Sequence, residues 1–338
     1  MSEIHTKRVF PPPEFAKAGY DEAKRIKEAS RMGVNAPGIP GTDFSDYFAR
    51  MMPWEITAVI GQTHNGKTLF TDWWEHAICD QLNAEGRTDE MVVHISLEES
   101  LEAMSFQQHS RFSGVPVSKI ASGDVDLSVL KISMNKIAGV PICYVADSAH
   151  SDYDAPPLTL SNIYRTLREL KNGNVIKGEQ KFAAIFLDYL QALPLDEEVR
   201  SSGEPNKRRL QVRQDVYRLR EMTVHLDAPI IVNVQAKQEL ASPRKPYFIP
   251  DIYDGSETSA IGERFDRVLG IWMPKVKDYR IGEVVDKLGT ISEEDFYIRV
   301  NKQRGGFASG KTFACKWDFK TRQLQSLYGA PKNGQNSD

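Results

Sequence analysis

The chain is 338 residues long, 41% hydrophobic and 26% charged, enough for one large α/β domain or two modest ones with no need of metal or disulfide staples. Its 43 Lys and Arg against 46 Asp and Glu leave a net charge of −3, which excludes a generally basic nucleic-acid coat but not a local basic patch. Cys79, Cys143 and Cys315 are widely spaced with no CxxC pair, no apolar run approaches the length of a membrane span, and Met1–Arg8 is polar. A disulfide framework, a cysteine zinc site, a membrane span and a secretory signal are thereby excluded, and a cytoplasmic protein is predicted.

In chain order, Pro11-Pro12-Pro13 closes an extended start, and Glu14–Met32 reads as one helix ended by Gly33. Its apolar stripe (Ala16, Tyr20, Ala23, Ile26, Ala29) is narrow, which suits either a helix packed on its own domain or an arm that docks on a neighbouring subunit. Asn35–Thr42 is a Gly- and Pro-marked linker. The expected division is an arm over 1–37, a single domain over 38–328 and a polar, disordered tail over 329–338.

From Pro53 onward short apolar strands alternate with amphipathic helices. Ile56–Ile60, Val92–Ser96, Ile142–Ala146, Ala183–Leu187 and Pro229–Val234 read as buried strands. Between them lie helical patterns, for example Asn162–Lys171 behind the cap candidate Ser161, and Leu210–His225. Such alternation predicts an α/β fold with a mostly parallel, doubly wound sheet, whose ligands sit at the carboxyl ends of the strands. Val268–Trp272, Phe296–Asn301 and Thr312–Trp317 add strands without long helices between them, so the sheet should finish in antiparallel hairpins.

Gly61-Gln62-Thr63-His64-Asn65-Gly66-Lys67-Thr68 matches GxxxxGK[ST] in full, between a strand and an apolar helix running from Lys67 to Leu82. Backbone N–H groups of such a loop curl around phosphate oxygens, and the helix N-terminus adds positive charge. Lys67 is expected to reach the β- and γ-phosphates of a nucleotide, and the Thr68 hydroxyl to bind Mg²⁺. Two strands end in a carboxylate suited to the metal: Asp188 after Ala183–Leu187, and its rival Asp147 after Ile142–Ala146. A third strand ends in Ser96-Leu97-Glu98, which puts Glu98, with Glu99 beside it, at the same rim, where one of them can polarise water.

Positive charge is concentrated further on. Lys207–Arg220 holds Lys207, Arg208, Arg209, Arg213, Arg218 and Arg220 against the single acid Asp215, and Lys237, Arg244 and Lys245 follow the Pro229–Val234 strand. Ile298–Lys311 has four basic residues and no acidic one, with glycines that permit close approach of a partner. Tracks of this kind bind nucleic acid through phosphates, without sequence preference.

These segments, from about Gly38 to Leu327, resemble the RecA-like ATPase domain of DnaB-type (superfamily-4) replicative hexameric helicases. Gly38-Ile39-Pro40 looks like the domain's opening, and the phosphate loop follows. Ser96-Leu97-Glu98 is similar to the family's SLE, Leu187-Asp188-Tyr189-Leu190-Gln191 to its DYLQ segment, Val234-Gln235 to its strand-end glutamine, and Lys302-Gln303-Arg304-Gly305 to its K-x-R-x-G hairpin.

The resemblance implies a RecA-like P-loop NTPase that hydrolyses ATP with Mg²⁺ as a homo-hexamer and moves 5′ to 3′ on single-stranded DNA in replication. It makes Glu98 the water-activating residue, Thr68 and Asp188 the metal holders, Gln235 the γ-phosphate sensor, and Lys302 and Arg304 the groups that reach a neighbour's nucleotide. It also sets Lys207, Arg208 and Arg209 in a pore-facing DNA loop, and Ser256 and Glu257 in a second, which here lacks the family's Arg. A primase or a helicase loader is the further expected partner. So short a stretch before Gly38 leaves the family's separate helical N-terminal domain unrepresented, which suggests a phage or mobile-element protein. The competing expectation is a RecA-like DNA-binding ATPase that acts as a filament or loading switch without unwinding.

Overall fold

The computed structural model describes residues 11–28, 33–148, 155–203, 205–237, 249–255, 260–274, 284–285, 289–305, 308–319 and 322–327. The chain divides into two units, Met1–Gly33 and Val34–Asp338. The first holds helix α1, Pro12–Glu28, which opens on prolines where a first turn needs no N–H donor. Phe15 and Tyr20 of α1 are 74% and 71% exposed. Residues 29–32, expected in the same helix, lie outside the described residues, as do residue 328 and the expected tail over 329–338.

The second unit is built on a nine-stranded sheet in the order β11-β10-β9-β6-β1-β5-β4-β2-β3. The strands β1 (Ile56–Gly61), β2 (Glu90–Ser96), β3 (Ile142–Val145), β4 (Lys181–Asp188), β5 (Ile230–Gln235) and β6 (Arg267–Trp272) run parallel. Beyond β6, β9 (Asp295–Gln303), β10 (Thr312–Asp318) and β11 (Gln323–Ser326) are antiparallel. The remaining β7 (Val284–Val285) and β8 (Gly289–Thr290) pair only with each other. This is the mixed sheet that the sequence predicts, with strand ends displaced by a residue or two.

Both faces of the sheet are covered, which is why its central strands read as unbroken apolar runs. Ile56, Ala58 and Ile60 of β1 join a core with helices α7 (Leu160–Lys171) and α9 (Lys207–Leu226), whereas Val59 joins the opposite core. That second core is formed on helices α2 (Phe44–Phe48) and α3 (Lys67–Glu85). Phe70, Trp74, Ile78 and Leu82 recur every four residues, so one face of α3 is apolar throughout. The Trp74 ring lies edge-on to Phe48 at 5.6 Å and to Phe70 at 5.7 Å, and its Nε1 donates to Asn35 O at 3.0 Å. Fully burying each such side chain contributes about 1.5–3 kcal/mol, and the edge-on geometry adds to it.

Two expected boundaries are corrected. The N-cap of α7 is Thr159, whose hydroxyl accepts from Asn162 N, and Ser161 lies inside the helix. Helix α9 starts at Lys207, not Leu210, because Lys and Arg extend a helix as readily as they occupy a loop. The remaining helices are α4 (Leu101–Ser113), α5 (Val117–Ala121), α6 (Leu127–Ile137), α8 (Glu197–Ser201) and α10 (Ala260–Arg264). No helix among the described residues is long and apolar enough to cross a membrane. Segment 249–255 lies close against β6: a Cβ on Gly270 would stand 2.1 Å from Pro250 O, so only glycine fits there.

Candidate nucleotide-binding site

The loop Gly61–Thr68 leaves the carboxyl end of β1 and enters α3. Gly66, at φ +76°, turns the chain into the helix, and an added Cβ would press on Phe296 and Met273 at 3.1 and 3.2 Å. His64 takes φ 64°, a conformation that costs a side-chain-bearing residue free energy. Lys67 folds back so that its Nζ donates to Gly61 O at 3.1 Å and Gln62 O at 2.9 Å. Burial holds the Lys67 ammonium below its usual pKa, against the opposing pull of Asp188 and Glu98.

Three other strand ends converge on the loop. Asp188, at the end of β4, accepts the Thr68 hydroxyl at Oδ2, 2.6 Å away. Asp147, the rival carboxylate, follows edge strand β3, and its backbone carbonyl caps Leu101 N at 2.9 Å. At the end of β5, Gln235 Nε2 donates to Thr63 Oγ1 at 2.9 Å. Its backbone is held by one side chain, with Gln235 N on Gln191 Oε1 at 3.0 Å and Gln191 Nε2 on Gln235 O at 3.3 Å. After β2, Leu97 N donates to Asp188 O at 2.9 Å, which brings Glu98 to the same rim. Thr63, Lys67, Thr68, Glu98, Asp188 and Gln235 thus line one cleft of about 790 Å³, within the usual size range of small-molecule sites.

The two neighbouring glutamates differ. Glu98 is exposed and makes no hydrogen bond with a described residue. Glu99 is held by helix α4, where Gln107 Nε2 donates to its carboxylate oxygens at 2.8 and 3.0 Å. Burial, and after it the Asp188 charge, push the Glu99 carboxyl above its ordinary pKa.

Among the residues of the cleft wall that no motif announces, two are polar groups joined to each other. Gln107 is one; the other is Arg322, in the turn between β10 and β11, which donates to Gln107 O at 3.3 Å and Ser110 Oγ at 3.1 Å. Asp72 of α3, also on the cleft wall, pairs with Arg111 of α4, and Glu75 of α3 pairs with His94 of β2 at 2.6 Å. Burial alone would lower His94, but the Glu75 carboxylate outweighs it and brings the imidazole up to about 9.

Lys302 and Arg304 stand elsewhere. In the β6–β9 register Lys302 is opposite Val268, and Val268 is opposite Ala58, toward the amino end of β1. The phosphate loop leaves the other end of that strand, and neither cation lines the cleft. Lys302 Nζ donates to Gly262 O at 2.7 Å, and Arg304 Nη2 to Glu263 O at 2.5 Å, both carbonyls of α10. Burial, and then the Arg304 charge, bring Lys302 down to about 8.

The expected DNA-contacting residues divide in a different way. Lys207, Arg208 and Arg209 occupy the first turn of α9, not a loop. Lys207 donates to Arg200 O at 2.5 Å, and Arg208 to Leu193 O at 2.5 Å and Leu190 O at 3.4 Å, so both tie neighbouring turns to the helix. Arg209 is exposed. Lys237 crosses to the 251–255 segment, with its N on Asp254 O at 2.9 Å and its Nζ on Tyr253 O at 3.1 Å. Arg244, Lys245, Ser256 and Glu257 lie outside the described residues.

The donor set suits a Mg²⁺-nucleotide. Among the described residues Asn65 Nδ2 is a buried donor without a partner inside the phosphate loop, the Lys67 ammonium is hydrogen-bonded only to carbonyls, and a hydroxyl faces a carboxylate where a hard cation takes oxygen ligands.

Comparison with known proteins agrees with this geometry. The family model for the DnaB-like helicase C-terminal domain matches residues 42–325. Among solved structures, the ATPase domain of G40P superposes with a TM-score of 0.68 at 16% identity, over 92% of this chain and 98% of that one. A DnaB-like replicative helicase, described with its interactions with primase, superposes with a TM-score of 0.64 at 16% identity, over 92% of this chain and 66% of the other. Identity this low makes both a likeness of fold. No curated protein sequence gives a significant match.

Proposed function

Because the chain belongs to the family of DnaB-like helicase C-terminal domains, and so to the ATP-hydrolysing helicases of RecA-like fold, we propose that it works as a ring of identical subunits, six by family analogy, travelling 5′ to 3′ along single-stranded DNA during replication. One observation carries the reading: Lys302 and Arg304 lie toward the opposite end of the sheet from the subunit's own phosphate loop. A subunit built this way offers a cleft on one side and a pair of cations on another. Head-to-tail assembly joins the two, and such heterologous contacts close into rings.

In this reading ATP lies in the cleft with its phosphates on the Gly61–Thr68 amides and Lys67, and Thr68 and Asp188 hold Mg²⁺, which supplies charge neutralisation of the phosphates. Glu98, unpaired and exposed at the rim, accepts a proton from the attacking water. Lys302 and Arg304 of the adjacent subunit meet the charge that develops on the phosphoryl oxygens, an effect worth about 10³–10⁵ in rate for an arginine supplied in trans. Gln235 joins the phosphate loop to the segment that follows β5, where Ala236 bridges Gly255. Ser256 and Glu257, next in the chain after Gly255, are the residues proposed to touch DNA, together with Arg209, Lys237, Arg244 and Lys245. The exposed Phe15 and Tyr20 of α1 support its docking on a neighbouring subunit, and a primase or loader is the further partner.

The test is strand displacement on forked duplexes carrying a 5′ or a 3′ single-stranded tail. Displacement with Mg²⁺-ATP and a 5′ tail alone is expected. DNA-stimulated hydrolysis with no displacement on either fork would establish the rival, a filament or loading switch, and displacement from the 3′ tail would reverse the polarity.

A further inference from the structure

Where Arg304 leaves β9, its surroundings are more specific than a surface arginine requires. Its backbone N donates to Asp266 O at 2.9 Å, and its Nη1 stands 3.6 Å from Asp266 Oδ1. Asp266 is itself fixed. It is 4% exposed, its Oδ2 accepts Ile56 N at 3.0 Å, and its own N donates to Ile56 O at 2.9 Å. The same oxygen also pairs with Arg220 of α9. The carboxylate therefore divides its two oxygens: Oδ2 anchors it to the first peptide of β1 and to α9, and Oδ1 faces Arg304. Arg304 nonetheless leaves 47% of its side chain open.

We propose that Asp266 is a positioning residue for the trans-acting arginine: it fixes the root and one flank of Arg304 so that the remaining guanidinium donors face a neighbouring subunit's nucleotide. This rests on the reading that Arg304 acts in trans. A long flexible side chain that must find one geometry at each turnover loses rotamer freedom at that moment, and a backbone anchor with a flanking carboxylate reduces that loss beforehand. The α10 carbonyls that receive Lys302 and Arg304 complete the berth. Asp266 does not touch nucleotide and transfers no proton.

The test is steady-state ATP hydrolysis by assembled rings on single-stranded DNA. Asp266→Asn keeps an acceptor for Ile56 N and removes the charge. It is expected to lower kcat by about ten- to hundredfold with KM changed less than about twofold, and Asp266→Glu is expected to recover part of the loss. The double variant Asp266→Asn/Arg304→Ala should be no slower than Arg304→Ala alone, because two residues acting through one group are not additive. Normal kcat in Asp266→Asn, a loss confined to KM, or a double variant slowed by the product of the single effects each overturns the inference. If Asp266→Asn rings do not assemble alone, the same comparison is made by titrating variant into wild-type subunits, with incorporation verified: the turnover lost per incorporated Asp266→Asn subunit should reach about nine-tenths or more of that per Arg304→Ala subunit, and a loss under about half of it overturns the proposal. Unchanged turnover in Arg304→Ala would instead refute the reading of Arg304 itself, and the inference with it.

Discussion

Thr68 and Asp188, 120 residues apart in sequence, share a 2.6 Å hydrogen bond from hydroxyl to carboxylate across the mouth of α3. The contact joins the start of the phosphate-loop helix to the end of β4, and selects Asp188 over Asp147 as the carboxylate that faces the loop. Thr68→Ala and Asp188→Asn should each raise the Mg²⁺ concentration for half-maximal ATP hydrolysis by about 10–100-fold. A magnesium titration of turnover checks this; an unshifted midpoint would remove both residues from the metal site.

Glu98 and Glu99 should separate in the same assay. Glu98→Gln is expected to cut turnover by about 10²–10⁴ while a fluorescent ATP analogue still binds. Glu99→Gln keeps a polar partner for Gln107 and should lose less than about tenfold in rate. Lys67→Ala should lose turnover and weaken analogue binding together. A severe loss in Glu99→Gln with a mild one in Glu98→Gln would reverse the assignment.

Subunits carrying Arg304→Ala and subunits carrying Glu98→Gln should each keep only a small residual turnover alone. Mixed in equal amounts, about a quarter of head-to-tail interfaces pair an intact Glu98 with a neighbour's intact Arg304, and hydrolysis should return in proportion. Rings verified as mixed that stay at that residual level would place both groups in one subunit's site.

Stability should depend on pH through the His94–Glu75 pair. His94 is raised to about 9 in the fold from an ordinary 6.5, so its protonated form is favoured by folding. That contribution is complete below about pH 6.5 and is lost as pH rises through about 9. Urea midpoints measured from pH 6 to 10 should fall for the wild type, and His94→Gln should lack this part of the slope. Parallel curves would show that the pair carries no net linkage.

The strands of the parallel sheet were legible because burial on both faces leaves one kind of residue at every position, as in Ile56–Ile60 or Ala183–Leu187. The phosphate loop was legible because its glycines and lysine are required locally, whatever the rest of the chain does. Gln107, Arg322 and Asp266 were not, since each acquires its meaning only from a partner brought by tertiary packing: Glu99, α4 and Arg304. The Lys207–Arg209 cluster misled for a related reason. Three cations in a row suit a solvated loop, but here two of them fasten carbonyls of neighbouring turns. Sequence shows the charge and not its creditor.

The nine-stranded sheet has one more consequence. The cleft and the Lys302–Arg304 pair hang from the same sheet, since β9 is hydrogen-bonded to β6 and β6 to β1. Within a subunit the spacing between them is set as by the two ends of a rigid strut. If the proposed ring forms and Lys302 and Arg304 act across its junctions, each junction would open or close by the tilt and rise of one strut against the next. On that reading rate would become a readout of ring pitch, and a ring held flat or held helical would differ in how many junctions fire.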